Sequence, residues 1–349
     1  MLRFGCQGLK VHSINYFSKY LQGRLMSLPQ AVDIYPTFRC NLRCKYCYCW
    51  KYKNYDSELS LNQWKSIILK LRKWLGFFSL RICGAEPFMR KDILDIIRFA
   101  NENEVFTVLT TNATLINDSI AKLISKSGLD FIAISLESLN ESVHDYLRGV
   151  DGTCRKVIKA IDLLKSRVGK IQINTIILDR NLEDIPDLVE YCDKKGMSIS
   201  FQGFQDERLD ICDIQNGLWP KDMNKRIGTF DRLLEMKRNG YSISNSEEQL
   251  RIFKNYYVNP DIFKNTSDNC FAYARNFRIN PNGDVIFCPY FNIAGNVSSK
   301  DPKEIWISYK ASDIREKMRL CKTNCSFIRS HYYENIIEKF RKFQDVFFR

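Results

Sequence analysis

Four cysteines fall within the ten residues CNLRCKYCYC, at Cys40, Cys44, Cys47 and Cys49. Three residues separate Cys40 from Cys44, and two separate Cys44 from Cys47. A closed zinc site wants four ligands in tetrahedral geometry, and a disulfide calls for two thiols, not three. A cubane iron-sulfur cluster has four irons, each wanting an external ligand that is usually a cysteine. Three cysteines leave one iron open to a substrate or cofactor, which suits catalysis better than electron storage. Cys49 follows Cys47 by two positions, so an extended backbone would turn both side chains the same way. Spacing alone therefore allows three ligands with Cys49 a spectator, or a closed four-cysteine site.

A second group lies far downstream. Seventeen residues separate Cys270 from Cys288, and Cys321 and Cys325 follow after a gap. The stretch RINPNGDVIFC sets Asn282 and Gly283 between two β-like runs, a hairpin signal. A hairpin bringing two thiols together, joined by a pair from a later turn, can complete four ligands for zinc or for a cluster. Cys6, Cys83, Cys154, Cys192 and Cys212 are isolated. Cys83 ends a β-like run beside Gly84 and could line a pocket, although a buried thiol is the commoner role.

The elements that must position these groups show in the hydrophobic pattern. Runs beginning at Ala31, Ser79, Val105, Phe131, Lys170 and Met197 read as six strands, and amphipathic stretches from Leu61, Lys91, Thr153 and Asn181 read as helices between them. Alternation of this kind predicts an α/β fold with a parallel sheet. Six β/α units are too few for an eight-stranded barrel, so a partial (β/α)6 barrel is expected, with chemistry at the C-terminal strand ends. Cys40, Cys44 and Cys47 follow the first strand, at that end. After Gly203 the alternation is lost: 219–238 reads as helix and 255–269 as linker. The expected organisation is a helical extension over 1–30, a barrel over 31–205, a helical linker over 206–269 and a small cysteine-bearing domain over 270–349. The tail carries Ile336, Phe340, Phe343 and Phe347 on one helical face, which suits a helix closing over its own core. INYFSKYLQGRL near the N-terminus reads the same way.

Charge and composition narrow the class. The chain has 349 residues, 45% hydrophobic and 27% charged, which suits a folded protein rather than a disordered one. No signal peptide or run of about 18 apolar residues is present, so a cytoplasmic protein without a transmembrane segment is expected. Thirteen cysteines in a reducing compartment point to metal rather than disulfides. The net charge is +13, but Lys and Arg alternate with Glu and Asp, and no nucleic-acid-binding signature accompanies it. General solubility is the simpler account, and no nucleic-acid partner is expected.

CNLRCKYC closely resembles the cysteine motif of the radical S-adenosylmethionine (radical SAM) superfamily, including the aromatic Tyr46 before the third cysteine. The likeness continues over roughly 30–205. CGAEPFMR, spanning Gly84 to Pro87, resembles the family's Gly-Gly-Glu-Pro turn, with Ala85 for the second glycine. LTTNATL resembles its Thr-Asn-Gly stretch, with Ala113 for glycine. ISLESLNESVHDYLRG resembles its Ser-Leu-Asp-Gly stretch and the His, Arg and Gly that follow, with Glu137 for aspartate. The resemblance implies that Cys40, Cys44 and Cys47 hold a 4Fe-4S cluster, that Cys49 is a bystander, and that S-adenosylmethionine chelates the open iron. Gly84, Glu86 and Pro87 would then meet the cofactor's amino group, Asn112 would lie in its pocket, Ser135 and Glu137 would face the ribose, and Arg148 the carboxylate. His144 reads as a helix-surface or satisfied histidine equally with a catalytic one.

The segment around Cys270, Cys288, Cys321 and Cys325 is similar to the family's C-terminal twitch or SPASM extensions. It implies a second, auxiliary 4Fe-4S cluster, and four cysteines suit the single-cluster twitch version. The expected activity is that of a radical SAM oxidoreductase. Reductive cleavage of S-adenosylmethionine gives a 5'-deoxyadenosyl radical that abstracts hydrogen from substrate, and the auxiliary cluster relays electrons. An electron donor such as flavodoxin or ferredoxin is implied. Without a fuller SPASM pattern or a leader-peptide module, a small molecule or sugar is the expected substrate. The alternatives are a peptide-modifying enzyme of the same family and a non-catalytic zinc or iron-sulfur scaffold.

Overall fold

The computed structural model describes residues 28–29, 31–51, 57–204, 217–263 and 272–322. Cys6, Cys212, Cys270, Cys325 and both amphipathic terminal stretches lie outside the described residues.

The six expected strands form: β1 (Ala31–Ile34), β2 (Ser79–Ile82), β3 (Phe106–Thr111), β4 (Phe131–Ser135), β5 (Ile171–Ile177) and β6 (Ser198–Gly203). They lie side by side in chain order and all pair in parallel. Each connection crosses over through helix: α1 (Leu61–Leu75), α2 (Ile93–Glu102), α3 (Asp118–Ser125), α4 (Glu141–Arg148) with α5 (Thr153–Lys165), and α6 (Ile185–Lys194). Local chemistry sets the starts: Ser60 and Gln63 form a reciprocal capping box at α1, while Asn117 and Asn140 cap α3 and α4. Burial alternates along the strands. In β1, Val32 and Ile34 are wholly buried among the residues of α1 and α2, while Ala31 and Asp33 face the other, concave side. The β1–β2 ladder stops at Ile34, two residues before Pro36, which has no N–H to donate.

The sheet does not end at β1. A strand from the second cysteine segment, β7 (Asn276–Ile279), pairs in parallel with β1, and β8 (Asp284–Ile286) returns antiparallel to it, followed by β9 (Gly295–Asn296). The result is a nine-stranded sheet of order β6-β5-β4-β3-β2-β1-β7-β8-β9. The expected hairpin is present, with Gly283 at φ +87° in its turn.

Between β6 and β7 lie α7 (Met223–Arg238) and α8 (Glu247–Val258). The helix expected from residue 219 starts later because Asp222 caps it, accepting from Lys225 N. The linker expected from residue 255 starts later too. Leu250, Phe253, Tyr256 and Tyr257 make one buried helical face, and Trp219 stacks on Tyr257 with ring centroids 4.8 Å apart, so α8 runs to Val258.

After β9 come α10 (Pro302–Ile307) and α11 (Tyr309–Arg319), preceded before β7 by the short α9 (Ala272–Arg275), which packs on α11. An aromatic cluster joins this part to the barrel. Phe277 of β7 lies 5.8 Å from Trp74 of α1 and 6.1 Å from Trp306 of α10, and Phe287 lies 5.3 Å from Trp306. Phe277→Ala should therefore lower the stability of the whole chain by about 3–5 kcal/mol. Urea denaturation checks this, and both halves should weaken in one transition.

Candidate active site

The cysteine loop starts where β1 ends and lies on the last turn of α4. The final carbonyls of a helix lack intrahelical donors; here the loop supplies them. Arg43 N donates to Arg148 O at 3.2 Å and Lys45 N to Leu147 O at 2.9 Å. Gly149 caps the helix at φ +70°, and a Cβ there would lie 2.2 Å from Arg43 O, so the loop fits only against glycine. Within the loop, Cys47 N donates to Cys44 O and Trp50 Nε1 to the same oxygen.

Side chains tie the same two pieces together. Arg148 and Glu137 form a buried ion pair at 2.9 Å. Tyr46 donates its hydroxyl to Glu137 Oε1 at 2.7 Å, and Ile176 N donates to Oε2 at 2.8 Å. Arg148 Nη1 points at Cys44 Sγ, 3.6 Å away. Glu137 and Arg148, expected to face a ribose and a carboxylate, thus meet each other and the cysteine loop. His144 is fully buried, not at the surface: its Nδ1 accepts from Glu137 N at 3.1 Å, which leaves the ring proton on Nε2.

Glu86 is buried between the Gly84–Pro87 turn and the end of β3. Its carboxylate accepts from Phe88 N, Thr111 Oγ1 and Asn112 N at 3.1, 2.8 and 2.8 Å. Three of roughly four acceptor directions are used, which leaves about one for an outside donor. Burial raises its carboxyl above the usual range, and these donors oppose the rise. Asn112 donates to Asn41 Oδ1 at 2.9 Å, binding the β3 end to the cysteine loop. Ala113 takes φ +58°, the conformation for which the resembling stretch has glycine. A Cβ on Gly84, at φ +105°, would meet the Tyr35 ring at 2.8 Å. Ser135 ends β4 half-buried, in register with Asn174 of β5.

The donor chemistry fits a thiolate-bound cluster. Leu42 N donates to Cys40 Sγ at 3.4 Å, and Arg148 faces Cys44, so two of the three sulfurs already meet groups that favour the thiolate. Burial pushes the Cys40 thiol up to about 12, Leu42 N opposes this, and Cys44 and Cys47 reinforce it. Among the described residues no group of three metal-ligating side chains has converged. Of the second group, Cys288 is buried just after β8 and Cys321 follows α11.

Sequence reasoning singled out Tyr46 and Gly149 only as motif residues, and assigned nothing to Asn41. Asn41 carries no signal by itself. Gly149, directly after a helical pattern, is a C-cap signal.

Residues 34–192 match the model of the radical SAM superfamily, and residues 270–326 match that of the SPASM iron-sulfur cluster-binding domain. The chain thus carries a radical SAM domain followed by a C-terminal SPASM domain, and these domains imply 4Fe-4S clusters and S-adenosylmethionine as its cofactors. The PqqA peptide cyclase of Granulibacter bethesdensis is 25% identical over 256 residues, which are 72% of this chain and 65% of that protein. The AdoMet-dependent heme synthase of Methanosarcina barkeri is 23% identical over 292 residues, 81% of this chain and 83% of that one. In fold, the chain is similar to SuiB of Streptococcus suis bound to the precursor peptide SuiA: TM-score 0.67, 20% identity, 90% of this chain and 75% of that chain covered. Among the described residues no helix is long and apolar enough to cross a membrane.

His144 gives a test by pH. Burial, aided by the Arg148 charge, lowers it from 6.5 to about 3. Between those values the unfolded chain binds the extra proton, so folding stability is lost as pH falls below about 6.5, at about 1.4 kcal/mol per pH unit. His144→Gln should lack this component. Urea titrations at several pH values should show a shallower acid loss in the variant.

Proposed function

We propose that this enzyme modifies a peptide, with Cys40, Cys44 and Cys47 holding the cluster that works with S-adenosylmethionine. Cys270, Cys288, Cys321 and Cys325 hold an auxiliary cluster. When bound, the first cluster and S-adenosylmethionine supply one-electron reduction and hydrogen abstraction. This chain's residues supply position and dryness. Arg148, Glu137 and Tyr46 fix the cysteine loop on α4, and Glu86 and Asn112 fix the β3 end beside it. The Gly84–Pro87 turn and Ser135 stand at the strand ends where the cofactor would lie, and the last acceptor direction of Glu86 suits its ammonium.

The observation that carries the peptide reading is the concave face of the sheet. Ser135, Gln172, Asn174, Ser198, Ser200 and Gln202 are half-buried there, uncharged and polar. Amide and hydroxyl groups both donate and accept, as a peptide backbone requires. The names of the relatives support the same substrate: a peptide cyclase, and SuiB with its precursor peptide. They favour it over the small molecule or sugar expected from the sequence. A tetrapyrrole is the second reading, favoured by the fuller coverage of the heme synthase.

Anaerobically purified protein should carry about eight irons per chain, from two four-iron clusters. Reduced in the presence of S-adenosylmethionine it should yield 5'-deoxyadenosine, and Cys44→Ala should not. Short peptides encoded beside the gene should change mass with turnover. Zinc in place of iron would sink the enzyme reading. Turnover of a porphyrin with no peptide altered would move the substrate to the second reading.

A further inference from the structure

Three charged residues stand in one row across the concave face, away from its uncharged stretch on β5 and β6. Asp33 of β1 is in register with Arg81 of β2 on one side and Arg278 of β7 on the other. Their neighbours Val32, Leu80 and Phe277 are buried on the helix side of the sheet, so strand alternation turns all three charges to the concave side. Asp33 accepts from Arg81 Nε at 2.6 Å. Its other oxygen lies 3.8 Å from Arg278 Nη2, too far for a hydrogen bond.

Arg278 is thus left with its donors unused. Its side chain is 18% exposed, its Nε is buried without a partner, and no described residue accepts from any of its N–H groups. The Tyr35 ring, 4.8 Å from the guanidinium carbon, steadies the group by a cation–π contact but offers no acceptor in its plane. The arginines buried more deeply are all hydrogen-bonded: Arg90 grips Asp92 at 2.6 and 2.9 Å, Arg148 holds Glu137, and Arg226 donates to Tyr257 O. Exposed lysines without a carboxylate have water instead; a guanidinium held inside the barrel with no acceptor is costly. A planar carboxylate matches its fork with two parallel hydrogen bonds.

We propose that Arg278 receives a carboxylate of the peptide substrate, from an acidic side chain or from the C-terminus. The peptide then lies across the concave face, its anionic group at β1 and β7 and its neutral backbone toward β5 and β6. The proposal rests on the peptide reading given above. Asp33, itself held by Arg81, keeps the guanidinium on the concave side without occupying its donors.

The test is equilibrium binding to anaerobic holoenzyme carrying both clusters. The probes are acetyl-Ala-Ala-Glu-Ala-Ala-amide, its Gln counterpart, acetyl-pentaalanine with a free C-terminal carboxylate, and glutarate. Wild type should bind a carboxylate-bearing peptide on the order of tenfold more tightly than the Gln peptide, and Arg278→Gln should lose that margin. Iron content and S-adenosylmethionine binding of the variant should match wild type. Preference for the Glu peptide places an acidic side chain at Arg278, and preference for pentaalanine places the C-terminus there. Equal binding of all probes by wild type, or the same margin in Arg278→Gln, overturns the proposal. So does weakened S-adenosylmethionine binding in the variant, which would give the guanidinium to the cofactor. Glutarate bound through Arg278 with no peptide bound would instead keep the carboxylate site and remove the peptide reading.

Discussion

The last turn of α4 has to accept the cysteine loop, and most of the site follows from that. A helix ends with unpaired carbonyls, and a loop shaped to present three thiols has N–H groups without a strand to pair with. Here each satisfies the other, through Arg43, Lys45, Leu147 and Arg148. The approach is close enough to require Gly149, and it buries the Arg148–Glu137 pair beneath the loop. A buried ion pair adds little net stability, but losing one partner costs about 3–5 kcal/mol. That asymmetry makes it a register device, which holds Tyr46 and Cys44 in one arrangement.

The same logic extends along the strand ends. Glu86 collects three donors from two successive β/α loops, and Asn112 links the second of these to Asn41. The acidic groups of the site thus serve first as internal fasteners. The concave face below them is polar but uncharged toward β5 and β6, so a substrate there would be held by amide and hydroxyl hydrogen bonds.

Much of this was legible in the sequence. Alternating burial marks five of the six barrel strands, β4 being buried at its three central residues, because each packs one face on helices, and Ser60, Asn117 and Asn140 announce their helices by capping chemistry. The cysteine spacing allowed an open iron on three ligands or a closed four-cysteine site, and only the family resemblance chose between them. What local pattern could not carry was pairing between distant segments. The parallel union of β7 with β1 joins positions some 245 residues apart, such as Ala31 and Asn276, and no period in the sequence encodes it. Nor could spacing show that Glu137 and Arg148, each plausible as a cofactor contact, lie within reach of one another. The linker expected at 255 failed for a milder reason: Tyr256 and Tyr257 complete a helical face whose partner, Trp219, lies outside any local window.

Gly149→Ala tests the docking of the loop on α4 most directly, read by iron content and Mössbauer spectra of the anaerobic protein. The added Cβ would fall 2.2 Å from Arg43 O and push the loop off the helix, far from Cys288 and Cys321 in sequence. The account predicts loss of the cluster at Cys40, Cys44 and Cys47 with the auxiliary cluster retained, so that about four of about eight irons remain. A variant with its full iron complement and an unchanged spectrum on adding S-adenosylmethionine would contradict it.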